Sequence, residues 1–316
     1  MTQPDFKRVH AMLLHNIRPL ALAVATLACM WAPAFAQRAY PSADAASQAL
    51  VGAITRNDPD ALRTVLGTDW KRFIPTAGID TEDVQAFLAA WAKQHKTLVD
   101  GRGDKATLAV GESDWPFPIP IVKSAAGWRF DPRAGADEMR TRRIGRNELA
   151  AMQAVLAYFD AQKEYAQKDR DGNSVLEYAQ KFASTPGKHD GLYWPDAAGQ
   201  DPSPLGPLFA AETEGQKSQR QAGEGYHGYH YRILTSQGKD APGGAYDYLI
   251  GGRMRSGFAL VAWPVRWGDT GVMSFIVSHD GAVYEKDLGP GSAAAAGGMT
   301  RFVPDASWRR VTRPGN

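Results

Sequence analysis

The spacing of apolar residues changes partway along this chain, and that change constrains the fold more than any other feature. In "GRNELAAMQAVLAYFDAQKEYAQK", Leu149, Met152, Leu156 and Phe159 recur every three or four residues, and Tyr165 continues near the stripe. That is the period of a helix with one buried face. From residue 226 onward, "YHGYHYRILTSQG", "GFALVAWPVRW", "GVMSFIVSHDG" and "AVYEKDLG" alternate or run apolar between turn residues. They predict an antiparallel meander with a tight turn at His279-Asp280-Gly281. A long helix laid on such a meander buries both apolar faces in one pair of layers, so residues 138–316 are expected to form an α+β domain.

The preceding stretch, 37–137, predicts a smaller α+β domain of helices and a hairpin. "ADAASQALVGAITR" has helical spacing. In "NDPDALRTVLG", Asp58 is the expected cap, Pro59 the first helical residue and Gly67 the stop. "DTEDVQAFLAAWAKQHK" opens acidic and ends with Lys93, His95 and Lys96, the order that suits the helix dipole. "KATLAVGESDWPFPIPIVKSAAGWRFD" reads as two strands joined by "SAAG", irregular at Pro116, Pro118 and Pro120, which donate no ladder hydrogen bond. The layout loosely resembles nuclear-transport-factor-like folds. Between the domains, "RTRRIGR" carries Arg140, Arg142, Arg143 and Arg146 and reads as a solvated linker before the helix.

The start of the chain points to export. Lys7, Arg8 and Arg18 precede "PLALAVATLACMWAPAFA", whose Ala34 and Ala36 form a small-residue cleavage site, so removal after Ala36 and a periplasmic location are expected. The apolar run is too short for a comfortable membrane span. Cys29, the single cysteine, lies inside this leader. The remaining chain then has no disulfide, thiol nucleophile or cysteine-ligated metal. Of 36 basic and 34 acidic residues, the leader holds three and one, which leaves 33 of each. A neutral mature chain with interspersed charge carries no footprint for nucleic acid or an anionic membrane.

One stretch approaches a chemical motif. In "KDRDGNSVLEYAQKF" (168–182), Asp169, Asp171 and Asn173 fill the first, third and fifth positions of a calcium loop, with Glu177 at the ninth. Ser174 stands where a glycine is wanted and Gln180 where a bidentate glutamate is wanted. The same residues also make a capping box, Ser174 to Glu177, at the start of a short helix over about 174–184. The helix junction is the preferred reading, and a degraded calcium loop the alternative.

Other constellations are sparse. His227 and His230, three apart on an expected strand, point to opposite faces. His189-Asp190 and His279-Asp280 sit in turns, where aspartate usually bonds the backbone. No G-x-S-x-G elbow, H-E-x-x-H or phosphate-cradling loop appears. Arg102-Gly103-Asp104 reads as a plain turn. Among the tryptophans, Trp263 and Trp267 are four apart and would share one strand face as a stacking platform, with Trp194 a further binding candidate.

The blocks "RRIGRNELAA", "YFDAQKEYAQKDRDGNSVLEYAQKFASTPGKHDGLYWP", "SPLGPL", "GYHYRILTSQG" with "APGGAYDY", and "GFALVAWPVRWGDTGVMSFIVSHDGAVYEKDLG" closely resemble a bacterial envelope family, domain of unknown function 2950 (DUF2950). In that family the cation-like loop commonly has glycine at the position of Ser174, so this chain departs there. The resemblance carries over no catalytic residue. The helix and glycine-rich meander are also similar to the globular heads of type IV pilins and pseudopilins, without the prepilin helix. Together these imply a non-enzymatic envelope module with no cofactor, binding an envelope protein or cell-wall glycan. An envelope-polymer hydrolase and a calcium-stabilised structural module are the alternatives. The protein purified from its own cells is expected to begin at Gln37 by N-terminal sequencing; retention of residues 1–36 contradicts the export reading.

Overall fold

The computed structural model describes residues 37–74, 79–199, 201–207, 209 and 225–311. The leader expected at 1–36 lies outside the described residues. The chain forms two compact units that divide between Arg133 and Ala134.

In the first unit, α1 (Ala43–Thr55) is capped by Ser42 and α2 (Pro59–Leu66) by Asp58, whose carboxylate accepts the Asp60 and Ala61 amides. Gly67, at φ 95°, ends α2 as expected. A short α3 (Trp70–Phe73) precedes α4 (Thr81–Lys93), which opens on a reciprocal Asp80–Asp83 capping box. The strands are β1 (His95–Val99), β2 (Lys105–Val110), β3 (Trp115–Pro116), β4 (Ile121–Ser124) and β5 (Gly127–Phe130). They form an antiparallel sheet in the order β1-β2-β4-β5, with β3 also on β2.

Two expectations need correction here. The helix ends at Lys93, not Lys96: Gln94 is extended, and His95 to Val99 pair with Val110 to Ala106. This edge strand is mostly exposed, so no alternating apolar pattern marks it. The proline-containing region supplies β3 and β4 as separate strands, because Pro118 and Pro120 interrupt the ladder between them. The Arg102-Gly103-Asp104 turn forms as read, with the Asp100 carboxylate accepting the amides of Gly103, Asp104 and Lys105.

The second unit is built on α5 (Pro132–Tyr165), 34 residues long. The arginine run is no linker but part of this helix, where Arg140 pairs with Asp137 and Arg142 with Glu138 one turn back. Its strands are β6 (Tyr229–Leu234), β7 (Ser236–Gln237), β8 (Tyr246–Asp247), β9 (Leu249–Ile250), β10 (Arg253–Met254), β11 (Ala259–Pro264), β12 (Met273–Ser278), β13 (Val283–Asp287), β14 (Arg301–Phe302) and β15 (Arg309–Arg310). The main sheet is antiparallel in the order β15-β13-β12-β11-β6. The expected meander and mixed α+β class are therefore observed. The turn after β12 closes through the Gly281 amide on the Ser278 carbonyl, with Gly281 at φ 78°.

The face that α5 turns to the core differs from the expected stripe. Ala151, Ala154, Val155, Tyr158, Ala161, Gln162 and Tyr165 are buried, while Leu149 is 52% exposed. Small alanine side chains fill much of the buried face, and the larger Met152, Leu156 and Phe159 lie partly buried at its margin. Tyr158 is the large exception: it is fully buried, and its hydroxyl donates to the Ala259 carbonyl at the start of β11. Ala151→Leu is expected to lose roughly 1–3 kcal/mol by overpacking. Leu149→Ala should stay within about 0.5 kcal/mol of the wild type, both measured by urea unfolding.

Candidate functional site

The stretch after α5 is irregular yet closely bonded. Asp169 gathers three backbone amides: Gly172 at 2.9 Å and Asn173 at 3.1 Å on one oxygen, Ser174 at 2.7 Å on the other. The Ser174 amide is the first cause of a carboxyl held below its ordinary range. Ser174 itself is left-handed, at φ 66°. The expected helix over 174–184 does not form. Its capping box is absent because Ser174 donates backward into Asp169 and Glu177 turns toward Asn173 Nδ2 (3.1 Å) and Arg253 Nη1 (3.2 Å).

The segment is instead held extended by Gln162, a fully buried residue of α5. Gln162 Nε2 donates to the Ala179 carbonyl at 2.8 Å, and the Ala179 amide donates to Gln162 Oε1 at 2.9 Å. The Tyr178 amide meanwhile donates to the Met254 carbonyl of β10. A side-chain amide and a strand edge have taken the backbone groups that a helix would have used.

These contacts open a cleft of about 400 Å³ beside the loop. Asp171, Glu177 and Asp190 supply its carboxylates, Lys181 and Arg253 its cations, and Tyr165 an aromatic wall. Arg253 Nη1 lies 3.2 Å from Glu177 Oε1 and 3.5 Å from Asp171 Oδ2. Lys181 Nζ lies 2.8 Å from Asp190 Oδ2, and Asp190 also accepts the Thr185 amide and hydroxyl. The Tyr165 hydroxyl donates to the His189 carbonyl at 2.7 Å. Burial first, and then the negative charges of Asp171, Glu177 and Asp190, push that phenol above its usual range. The second oxygen of Glu177 is buried with no hydrogen-bond partner. Such an oxygen is an acceptor waiting for a donor.

The residues singled out from sequence are distributed differently from expectation. Of the proposed calcium ligands, Asp169 is committed to amides, while Asp171 and Glu177 share a guanidinium. Among the described residues no group of three or more His, Asp or Glu side chains is placed to hold a metal ion. Trp194 is 2% exposed, its indole N–H on the Asp201 carbonyl and its ring stacked by His189 at 4.4 Å. It is a core residue. Trp263 is half-buried beside His230, whereas Trp267 is 39% exposed and tied to Asp287. The two do not share a strand face, because β11 ends at Pro264.

His227 is not on a strand but in a turn at φ 52°. His230 is on β6, and burial holds its imidazole pKa down, favouring the neutral form. Asp190 and Asp280 bond turn groups as expected, Asp280 taking the Ser278 hydroxyl and the Ala282 amide. Their bonded partners are therefore not the neighbouring imidazoles. Sequence reasoning missed Tyr165, Lys181, Asp190 and Arg253 as cleft residues, and Gln162 as the clamp. Gln162 alone left a signal, a polar residue between Tyr158 and Tyr165 on an apolar helix face.

Residues 37–311 match the model of a family described as a protein of unknown function, DUF2950. No curated protein and no solved structure matches the chain. Among the described residues no helix is long and apolar enough to cross a membrane.

Asp190 gives the cleft a pH signature. Partial burial opposes its ionisation, but the Lys181 bond and charge and the Thr185 donors outweigh it, lowering its pKa from 3.8 to about 2. A lowered folded value means that its stabilising contribution is present above about pH 4 and is lost as the pH falls toward about 2. The stability gap between the wild type and Asp190→Asn, measured by thermal melts, is expected to narrow over that window.

Proposed function

Since the chain belongs to the DUF2950 family, whose description names no activity, we propose from the site itself that it is a non-enzymatic binding module of the bacterial envelope, exported with residues 1–36 removed. Its ligand enters the cleft beside Glu177. The observation that carries this reading is the buried, partnerless oxygen of that glutamate. Leaving such a group without a donor costs about 1–3 kcal/mol, which a ligand N–H or O–H recovers on binding. Three carboxylates facing two cations leave the wall one negative charge in excess. An ammonium group suits it better than a second anion.

Cell-wall glycan with its attached peptides offers ammonium and hydroxyl donors together, in the compartment to which the leader points. No step of bond cleavage is assigned, because the cleft carboxylates are bonded to cations and amides rather than set against a nucleophile.

The test is cosedimentation of the mature protein with purified peptidoglycan sacculi, native and N-acetylated. The wild type is expected to pellet with native sacculi and to release no soluble fragments. N-acetylation and Glu177→Gln should each weaken capture at least tenfold, about 1.4 kcal/mol. A melting curve checks that the variant is folded. Equal capture of the folded variant, or no capture of native sacculi by the wild type, overturns the reading.

A further inference from the structure

A second cleft, of about 370 Å³, lies where α5 meets two turns of the same unit. Arg143 on the helix and Arg266 after β11 both face it, with His227 and Thr270 beside them. One carboxylate organises the two arginines. Asp269 accepts Arg143 Nη2 on one oxygen and Arg266 Nε, at 2.9 Å, on the other, while its carbonyl takes Arg143 Nε at 3.3 Å.

The frame around this pair is closely bonded. Asn147 Nδ2 donates to the Thr270 carbonyl at 2.8 Å, and Glu148 accepts the amides of Val272 and Met273. The Arg266 amide donates to the Thr270 hydroxyl at 3.0 Å. Gly228, at φ 74°, passes so near that an added Cβ would stand 2.7 Å from Asn147 Nδ2. Helix and turns are therefore locked before any ligand arrives.

Glu148 is spent on two backbone amides and does not line the cleft, so the two guanidinium groups and Asp269 leave its wall with a positive charge in excess. Each guanidinium has five N–H donors in a planar fork. Arg143 spends Nε and Nη2 on Asp269, and Arg266 spends Nε, so both keep Nη donors beyond that carboxylate. A tetrahedral oxyanion bearing one or two charges, with oxygens directed at both forks, matches this arrangement; guanidinium pairs bind phosphate in this bidentate way. We infer that the Arg143–Asp269–Arg266 cleft is a phosphate-binding site, and that Asp269 is its positioning residue, holding the two forks at a fixed separation. The inference does not rest on the cleft at Glu177.

The test is titration of the mature chain with inorganic phosphate and with glycerol 3-phosphate by isothermal calorimetry, and cosedimentation with phosphatidylglycerol vesicles. Saturable binding is expected below about 10 mM, a range that brackets a millimolar dissociation constant. Arg266→Gln, a substitution at an exposed side chain, should weaken it at least tenfold, whereas Ile250→Ala, at an exposed residue outside both clefts, should leave it unchanged. Binding of the soluble phosphates assigns a free phosphate group. Binding to vesicles alone, lost in Arg266→Gln, assigns the same site to a lipid headgroup. No binding in any arm, or equal binding by a folded Arg266→Gln, overturns the proposal.

Discussion

The second unit depends on one buried chain of hydrogen bonds. The Ala259 carbonyl on β11 accepts from the Tyr158 hydroxyl, and Tyr158 in turn accepts from Gln162 Nε2 at 3.0 Å. Gln162 then holds the amide and carbonyl of Ala179. Sheet, helix and irregular loop are joined through two side chains of α5 that water does not reach. Each neutral bond contributes about 0.5–1.5 kcal/mol, but an orphaned buried partner costs about 1–3 kcal/mol. The chain is therefore held more by the penalty for breaking it than by the strength of any link. It is also directional, since only an extended backbone at Ala179 presents both groups to one amide.

This constraint explains how a segment without helix or ladder can carry a site. With Ala179 pinned, Glu177 and Lys181 stand two residues to either side, and Asp169 folds the preceding residues into a closed loop. Arg253 arrives from the end of β10 and draws Asp171 and Glu177 together. The two clefts of this unit then differ in sign. One is walled by carboxylates with an acceptor unspent, the other by guanidinium groups with donors unspent, so ligands of opposite charge are expected at each.

What sequence revealed was local, and what it concealed was distant. The cap at Asp58, the stop at Gly67 and the turn at Gly281 follow from residues within a few positions, and they formed as read. The meander was visible because its main strands either alternate in part, as β6 does, or run apolar between turn residues, as β11 and β12 do. The buried face of α5 was misjudged because size was taken for burial, while alanines fill much of that face and Leu149 stands outside it. The loop was misjudged for a related reason: Ser174 to Glu177 satisfies a helix-start rule, yet Gln162 takes the backbone of Ala179 from 17 positions away and Arg253 takes Glu177 from 76. Nothing in a single sequence brings Arg253 beside Glu177, so the cleft could not be assembled before the fold was known. The tryptophans drew attention as rings, although Trp194 serves as packing under His189.

The most direct measurement is amide hydrogen exchange at Ala179, a residue outside every helix and strand. If the Gln162 clamp holds the loop to the sheet, its amide exchanges as slowly as those of Val261 and Ile276 in the central strands, because it opens only when the unit unfolds. Exchange at the rate of a free loop amide would show that the loop is not fixed by α5, and the account of the site would lose its foundation.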